Sequence, residues 1–261
     1  MVKLIATDLD GTMLDDEKKI PANFDEILRK LSDRKIRFAV SSGRSFCTLK
    51  KQFENYLDDL IFICDNGAYV FDKGQMVSTS VLPHDAVVNI IRFCENLGLT
   101  VLLCGKNGTW HNAKKQAHHD EIASYYVNQV HLDDLTSFDD DIFKVAVFEE
   151  DGIEDNGYKK LSAKYGNYFN VQLSGKFWVD IMNQGVTKGS ALHNLQNRMG
   201  VNYEETMSFG DYLNDIEMLE NSYYSFAMEN SHSLVKKTAN FSTGSNNDNS
   251  VMVEIEKLCL Q

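Results

Sequence analysis

The chain has only two prolines in 261 residues, which argues against long structureless linkers. It has no basic run and no long apolar span, and 38 acidic against 26 basic residues leave a net charge of −12. That balance repels a phosphate backbone or an anionic lipid surface, so neither nucleic acid nor membrane is expected as a partner. Before Asp8 stand only Lys3 and a short apolar stretch, too little for a signal peptide, and cytoplasmic residence is the expectation. The five cysteines (Cys47, Cys64, Cys94, Cys104, Cys259) are odd in number and form no C-x-x-C pair, which reads as reduced thiols rather than disulfides or a zinc site. What is present is ordinary core material, 43% hydrophobic with 11% aromatic, in a length that allows one large domain or two moderate ones.

Short β-rich runs alternate with helical patterns, as in parallel strands joined by crossover helices. Val2 to Ala6 reads as a first buried strand, Ile36–Ser41 as a second and Leu60–Cys64 as a third. Between them the spacing of Phe24, Ile27, Leu28 and Leu31 predicts a helix starting near Pro21, and another is expected from Ser45. Thr206–Phe209 and Tyr223–Met228 read as further strands, and Ser250–Leu260 as a covering helix. From about Leu82 to Gln184 the texture changes to helix, strand, helix, strand, with strands expected near 100–104, 144–148, 168–173 and 177–181. This reads as an inserted α/β domain over 83–184, flanked by two parts of a first domain, 1–82 and 185–261.

The chemistry is written at the ends of the expected strands. Thr7-Asp8-Leu9-Asp10-Gly11-Thr12 follows the first strand and presents two carboxylates at its carboxyl end, the edge where ligands bind in open α/β sheets. A D-x-D-G-T match arises by chance in roughly one in several hundred chains of this length. Like charges this close suit a hard divalent cation, or a nucleophile beside a proton-transfer group. Ser41-Ser42-Gly43-Arg44 ends the second strand and leads into a helix, a place that holds an anion or serves as a plain N-cap. Lys188, in Thr187-Lys188-Gly189-Ser190, stands at a helix start, where the dipole disfavours a cation; pairing with a carboxylate and a bound phosphate would give the reason, solvent exposure the alternative. Gly210-Asp211-Tyr212-Leu213-Asn214-Asp215 brings Asp211 and Asp215 to the same sheet edge, although Asp215 also suits a helix start. Asp8 with Asp211 fits what magnesium asks of a protein.

With these residues in order, the whole chain resembles a haloacid dehalogenase-superfamily phosphohydrolase of the Cof type, whose large α/β cap lies between the second and third motifs. The resemblance also takes in Asn66-Gly67-Ala68 and Val179-Asp180-Ile181. It implies a Rossmann-like parallel-sheet core with an inserted cap, acting on a small phosphorylated metabolite, sugar phosphates first. It further implies that Asp8 attacks phosphorus and Asp10 serves as acid and then base. Mg2+ would be held by Asp8, the Asp10 backbone carbonyl and Asp211, with Asp215 in or beside that set. Ser42, Gly43, Lys188 and Asn214 would hold the phosphate. Asp10 favours phosphate-ester over dehalogenase or phosphonatase chemistry, because only an ester oxygen needs protonating on departure. A phosphotransferase or mutase, and a phosphate-ligand binding protein without turnover, remain alternatives.

For the organic part of the substrate the expected contacts are Lys176 and Trp178, with Trp110, His111 and Phe177 as further candidates or as cap core. Arg44 reaches either the substrate or an acid. His118-His119-Asp120-Glu121 reads as solvated cap surface, since adjacent helical residues do not face one another.

Overall fold

The computed structural model describes residues 1–261. Five strands come first: β1 (Leu4–Thr7), β2 (Arg37–Ser41), β3 (Leu60–Cys64), β4 (Tyr69–Asp72) and β5 (Gln75–Thr79). The middle of the chain supplies β6 (Thr100–Gly105), β7 (Thr109–His111), β8 (Gln129–His131), β9 (Ile142–Phe148), β10 (Phe169–Leu173) and β11 (Trp178–Asn183). β12 (Thr206–Gly210), β13 (Tyr224–Ala227) and β14 (Phe241–Ser242) follow. These make two sheets, one of eight strands in the order β14-β13-β12-β1-β2-β3-β4-β5 and one of six in the order β10-β11-β9-β6-β7-β8.

In the larger sheet β1 lies between β2 and β12, parallel to both. The order therefore reverses at β1, and the loop leaving it opens at the switch point where a crevice forms. The first strands are apolar on both faces, as a sheet covered on both sides requires. Ile5, Phe38, Val40 and Phe62 pack beneath α1 (Phe24–Asp33) and α9 (Ser250–Ile255). On the opposite face Leu4, Ala6, Ala39, Ile61 and Ile63 meet Ala191, Leu192 and Leu195 of α6 (Lys188–Met199).

The six-stranded sheet is the cap, and its strands alternate between two cores of their own. Val101, Leu103, Val145 and Val147 face α3 (His84–Asn96) and α5 (Lys159–Tyr165). Leu102, Ala146, Phe148 and Trp178 face α4 (Gln116–Tyr125).

Differences from the sequence reading fall where local signals are short. The helix expected from near Pro21 begins at Phe24, and the strand expected from Ile36 begins at Arg37. β4 and β5 form an unforeseen hairpin whose Lys73 and Gly74 both take positive φ, the geometry of a two-residue hairpin loop. β7 and β8 are three residues each, too short to alternate visibly, and pair in parallel across α4.

Candidate active site

Asp8 leaves β1 with its backbone N–H donating to the Phe209 carbonyl of β12 at 3.0 Å, which sets the carboxylate beside Asp211. Gly11 holds the turn at φ +80°, and a Cβ there would lie 2.6 Å from Asp211 Oδ2, so glycine is required on both counts. Thr12 donates its hydroxyl to Asp211 Oδ1 at 3.0 Å, joining the first motif to the last. Asp215 folds back over its own loop, accepting the Asp211 and Tyr212 backbone N–H groups at 3.0 and 3.1 Å.

Lys188 begins α6 behind N-cap Thr187, whose hydroxyl accepts from Ser190 N–H. Its Nζ lies 2.6 Å from Asp8 Oδ1 and 2.7 Å from Asp215 Oδ1, and the side chain is buried. The two carboxylates give the reason for a cation at a helix start. Oxygens of Asp8, Asp211 and Asp215 all lie within 4.8 Å of one another, three acids against one lysine. Burial, opposed by Lys188, pushes the Asp8 carboxyl up to about 7. Burial and the charges of Asp8 and Asp215 push Asp211 up to about 8. An all-oxygen set carrying more negative charge than its lysine balances fits a hard divalent cation.

Asp10 is turned the other way. Arg44 grips it with both arms, Nε to Oδ2 at 2.7 Å and Nη2 to Oδ1 at 2.6 Å, and Lys18 Nζ adds a contact at 2.7 Å. Burial alone would raise this carboxyl, but Arg44 and Lys18 outweigh it and hold Asp10 below the usual carboxylate range. The Asp10 side chain is therefore not in the acid cluster, leaving only its backbone carbonyl for a metal. Arg44, left open between substrate and acid, pairs with Asp10 and also lines the cavity.

A cavity of about 300 Å³ lies over these groups between core and cap. Asp8, Asp10, Ser42, Gly43, Arg44, Asp211 and Asn214 line it from the core, and Lys176, Phe177 and Trp178 from the cap. Lys188 and Asp215 lie beneath that lining rather than in it. Trp178 is also cap core, packed 5.0 Å from Phe148 with its indole N–H on Glu121. Trp110 and His111, on β7, do not line the cavity. Glu121, Tyr125 and Tyr126, all from α4 and its end, line it without having been expected.

A buried polar chain ties cap to core. Asn214 donates to Asn66 Oδ1 at 3.1 Å, and Asn66 donates to Asp180 Oδ2 at 2.5 Å. Lys144 of β9, fully buried, reaches Asp180 and Asp65 at 3.5 Å each and donates to Tyr126 Oη and the Gly43 carbonyl. A lysine inside an apolar strand was the available signal for this network. Its partners are scattered from residue 43 to 180, so no spacing announced it.

A strand-edge acid cluster under a capped cavity fits a phosphoryl-transfer enzyme, and comparison with known proteins agrees. Residues 5–255 match the haloacid dehalogenase-like hydrolase family, and the chain belongs to it as a Cof-type phosphoric monoester hydrolase. The chain is 30% identical over 260 residues to a 5-amino-6-(5-phospho-D-ribitylamino)uracil phosphatase of Escherichia coli, covering 98% of this chain and 96% of that protein. A Bacillus subtilis phosphatase with the same activity in its name is 25% identical, over 96% of this chain and 93% of its own length. A solved structure from Streptococcus mutans superposes with a TM-score of 0.95 at 28% identity, covering 100% of both chains.

Proposed function

We propose that the chain is a Mg2+-dependent phosphatase of small metabolites, working in the cytoplasm through an aspartyl-phosphate on Asp8. The observation that carries this reading is Lys188 held at 2.6 Å from Asp8 within a set of three acids, two of them buried, at and beneath the floor of the cavity. Asp8 Oδ attacks phosphorus, and the P–O bond to the ester oxygen breaks as that oxygen takes a proton from Asp10, which must have been protonated beforehand against its pairing with Arg44 and Lys18. Asp10 then takes a proton from water, whose oxygen attacks the phosphoenzyme. The Asp8–phosphorus bond breaks, freeing inorganic phosphate and the carboxylate. Asp8, the Asp10 carbonyl and Asp211 would hold Mg2+, with Asp215 beside them, and the ion would neutralise phosphoryl charge. Ser42, Gly43, Lys188 and Asn214 hold the phosphate, while the segment 83–184 closes over the leaving group and excludes water.

Sugar phosphates are the expected substrates. A ring-bearing alcohol is a second reading, favoured by the aromatic wall of Tyr125, Tyr126, Phe177 and Trp178 around the cavity. The relatives named as 5-amino-6-(5-phospho-D-ribitylamino)uracil phosphatases act on an ester of that kind. The test is phosphate release from a panel of sugar phosphates, nucleotides and this uracil derivative, with and without Mg2+. Release dependent on the ion is expected, and no release from any ester overturns the reading.

A further inference from the structure

The cap holds a second cluster of metal-ligating side chains, on elements separate from the acid cluster. His111 ends β7 and His131 ends β8, and the parallel register sets them directly opposite. His119 comes from α4, the helix that crosses between these two strands. The ring centroids stand 4.9 Å apart for His111 and His119, and 5.5 Å for His131 with each of the others. One nitrogen from each ring lies within 4.8 Å of the other two. We propose that His111, His119 and His131 form a binding site for a divalent transition-metal ion of the zinc class.

Three imidazoles are a donor set for zinc, copper or nickel, and a poor one for magnesium or calcium. Around a tetrahedral ion with bonds of 2.0–2.1 Å the nitrogens stand about 3.3 Å apart, so from separations within 4.8 Å the nitrogens close by at most about 1.5 Å on loading. Water completes the fourth position, because His131 is exposed and His119 half-buried.

Further contacts bear on the ligands. His131 Nε2 lies 3.3 Å from Asp133 Oδ1, a carboxylate placed to take the ring's N–H and leave the other nitrogen its lone pair. His111 Nδ1 accepts the Ala113 backbone N–H at 3.2 Å. A neutral ring has one lone pair, so loading gives up that contact and leaves the buried Ala113 N–H unpaired, a cost that the metal–nitrogen bonds have to outweigh. Aromatic packing alone is the competing account of three clustered rings. It asks for no shared nitrogen vertex and is indifferent to metal, which is what the test separates. α4 also carries Glu121 and Tyr125 in the active-site cavity, so an ion at His119 would anchor that wall to β7 and β8.

The experiment is calorimetric titration of the full chain, without a histidine tag, with ZnCl2 in excess Mg2+ under a phosphine reductant. One zinc per chain is expected, and Co2+ in its place should give the visible absorption of nitrogen ligation. His131→Asn and His119→Gln should each weaken zinc by at least about a hundredfold while phosphate release in Mg2+ and thermal melting stay as in the parent. Asp8→Asn should leave this zinc in place, which separates it from the acid cluster. No zinc uptake by the parent chain, or equal uptake by both histidine variants, overturns the proposal.

Discussion

Arg44 and Asp10 form a two-pronged ion pair across the mouth of the site, Nε and Nη2 of one on the two oxygens of the other at 2.7 and 2.6 Å. The pairing holds Asp10 ionised, which suits the base that activates water but opposes the acid that protonates an alkoxide. In the proposed mechanism the guanidinium would therefore set the balance between the two half-reactions. Removing a cation raises a neighbouring carboxyl, so in Arg44→Gln the high-pH limb of activity on an alkyl phosphate should move to higher pH. A pH profile of kcat/KM checks this, and an unmoved limb would detach Asp10 from the acid role.

Asp8→Asn should lower turnover by at least about a thousandfold, because an amide cannot form the phosphoenzyme. Folding should be kept or improved, since burial raises this carboxyl to about 7 and the amide removes a buried charge. Phosphate release and a thermal melt read the two effects separately. Activity near that of the parent would sink the mechanism.

Lys188→Met should both inactivate and destabilise. It removes the cation between Asp8 and Asp215 and leaves buried acids facing one another, a loss of about 3–5 kcal/mol. Mg2+ should restore part of the stability, as another positive charge in the same cluster. Urea unfolding with and without the ion measures it, and an equally stable variant would show the pair to be idle.

Asp65 gives a pH signature in stability. Burial, only partly offset by Lys144, raises its carboxyl from 3.8 to about 6 in the folded chain. Between those values the fold keeps a proton that the unfolded chain has released. Its contribution is therefore full below about pH 4 and lost as pH rises through about 6, up to about 3 kcal/mol. Asp65→Asn cannot titrate, so urea unfolding of this variant should lack that fall between pH 4 and 6.

Lys176 and Trp178 should behave differently although both line the cavity. Lys176 is exposed, so Lys176→Ala should change stability by no more than about 0.5 kcal/mol while re-ranking natural esters against an aryl phosphate. Trp178 is packed in the cap core, and Trp178→Ala should cost about 3–5 kcal/mol. Substrate ranking beside thermal melts would show it, and an equal loss on every ester for Lys176→Ala would remove it from specificity.

The sequence alone determined the core strands, the acids at their ends and the loop that carries each. Their signals are local: an apolar run long enough to be buried, then a turn whose residue types state what it binds. The positions of Asp8, Asp10, Lys188, Asp211 and Asp215 were legible for that reason. Only the tertiary structure decided what each side chain touches. Arg44 could be read toward substrate or acid until folding put Asp10 within reach, and Trp178 could line a cavity or fill a core until both proved true. Lys144 meets Asp65 and Asp180 across strands far apart in the chain, and His119 meets His111 and His131 only because α4 crosses between two strands too short to show in the sequence. Charge pairing and metal ligation act over a few ångströms in space, and no spacing in the sequence encodes that distance.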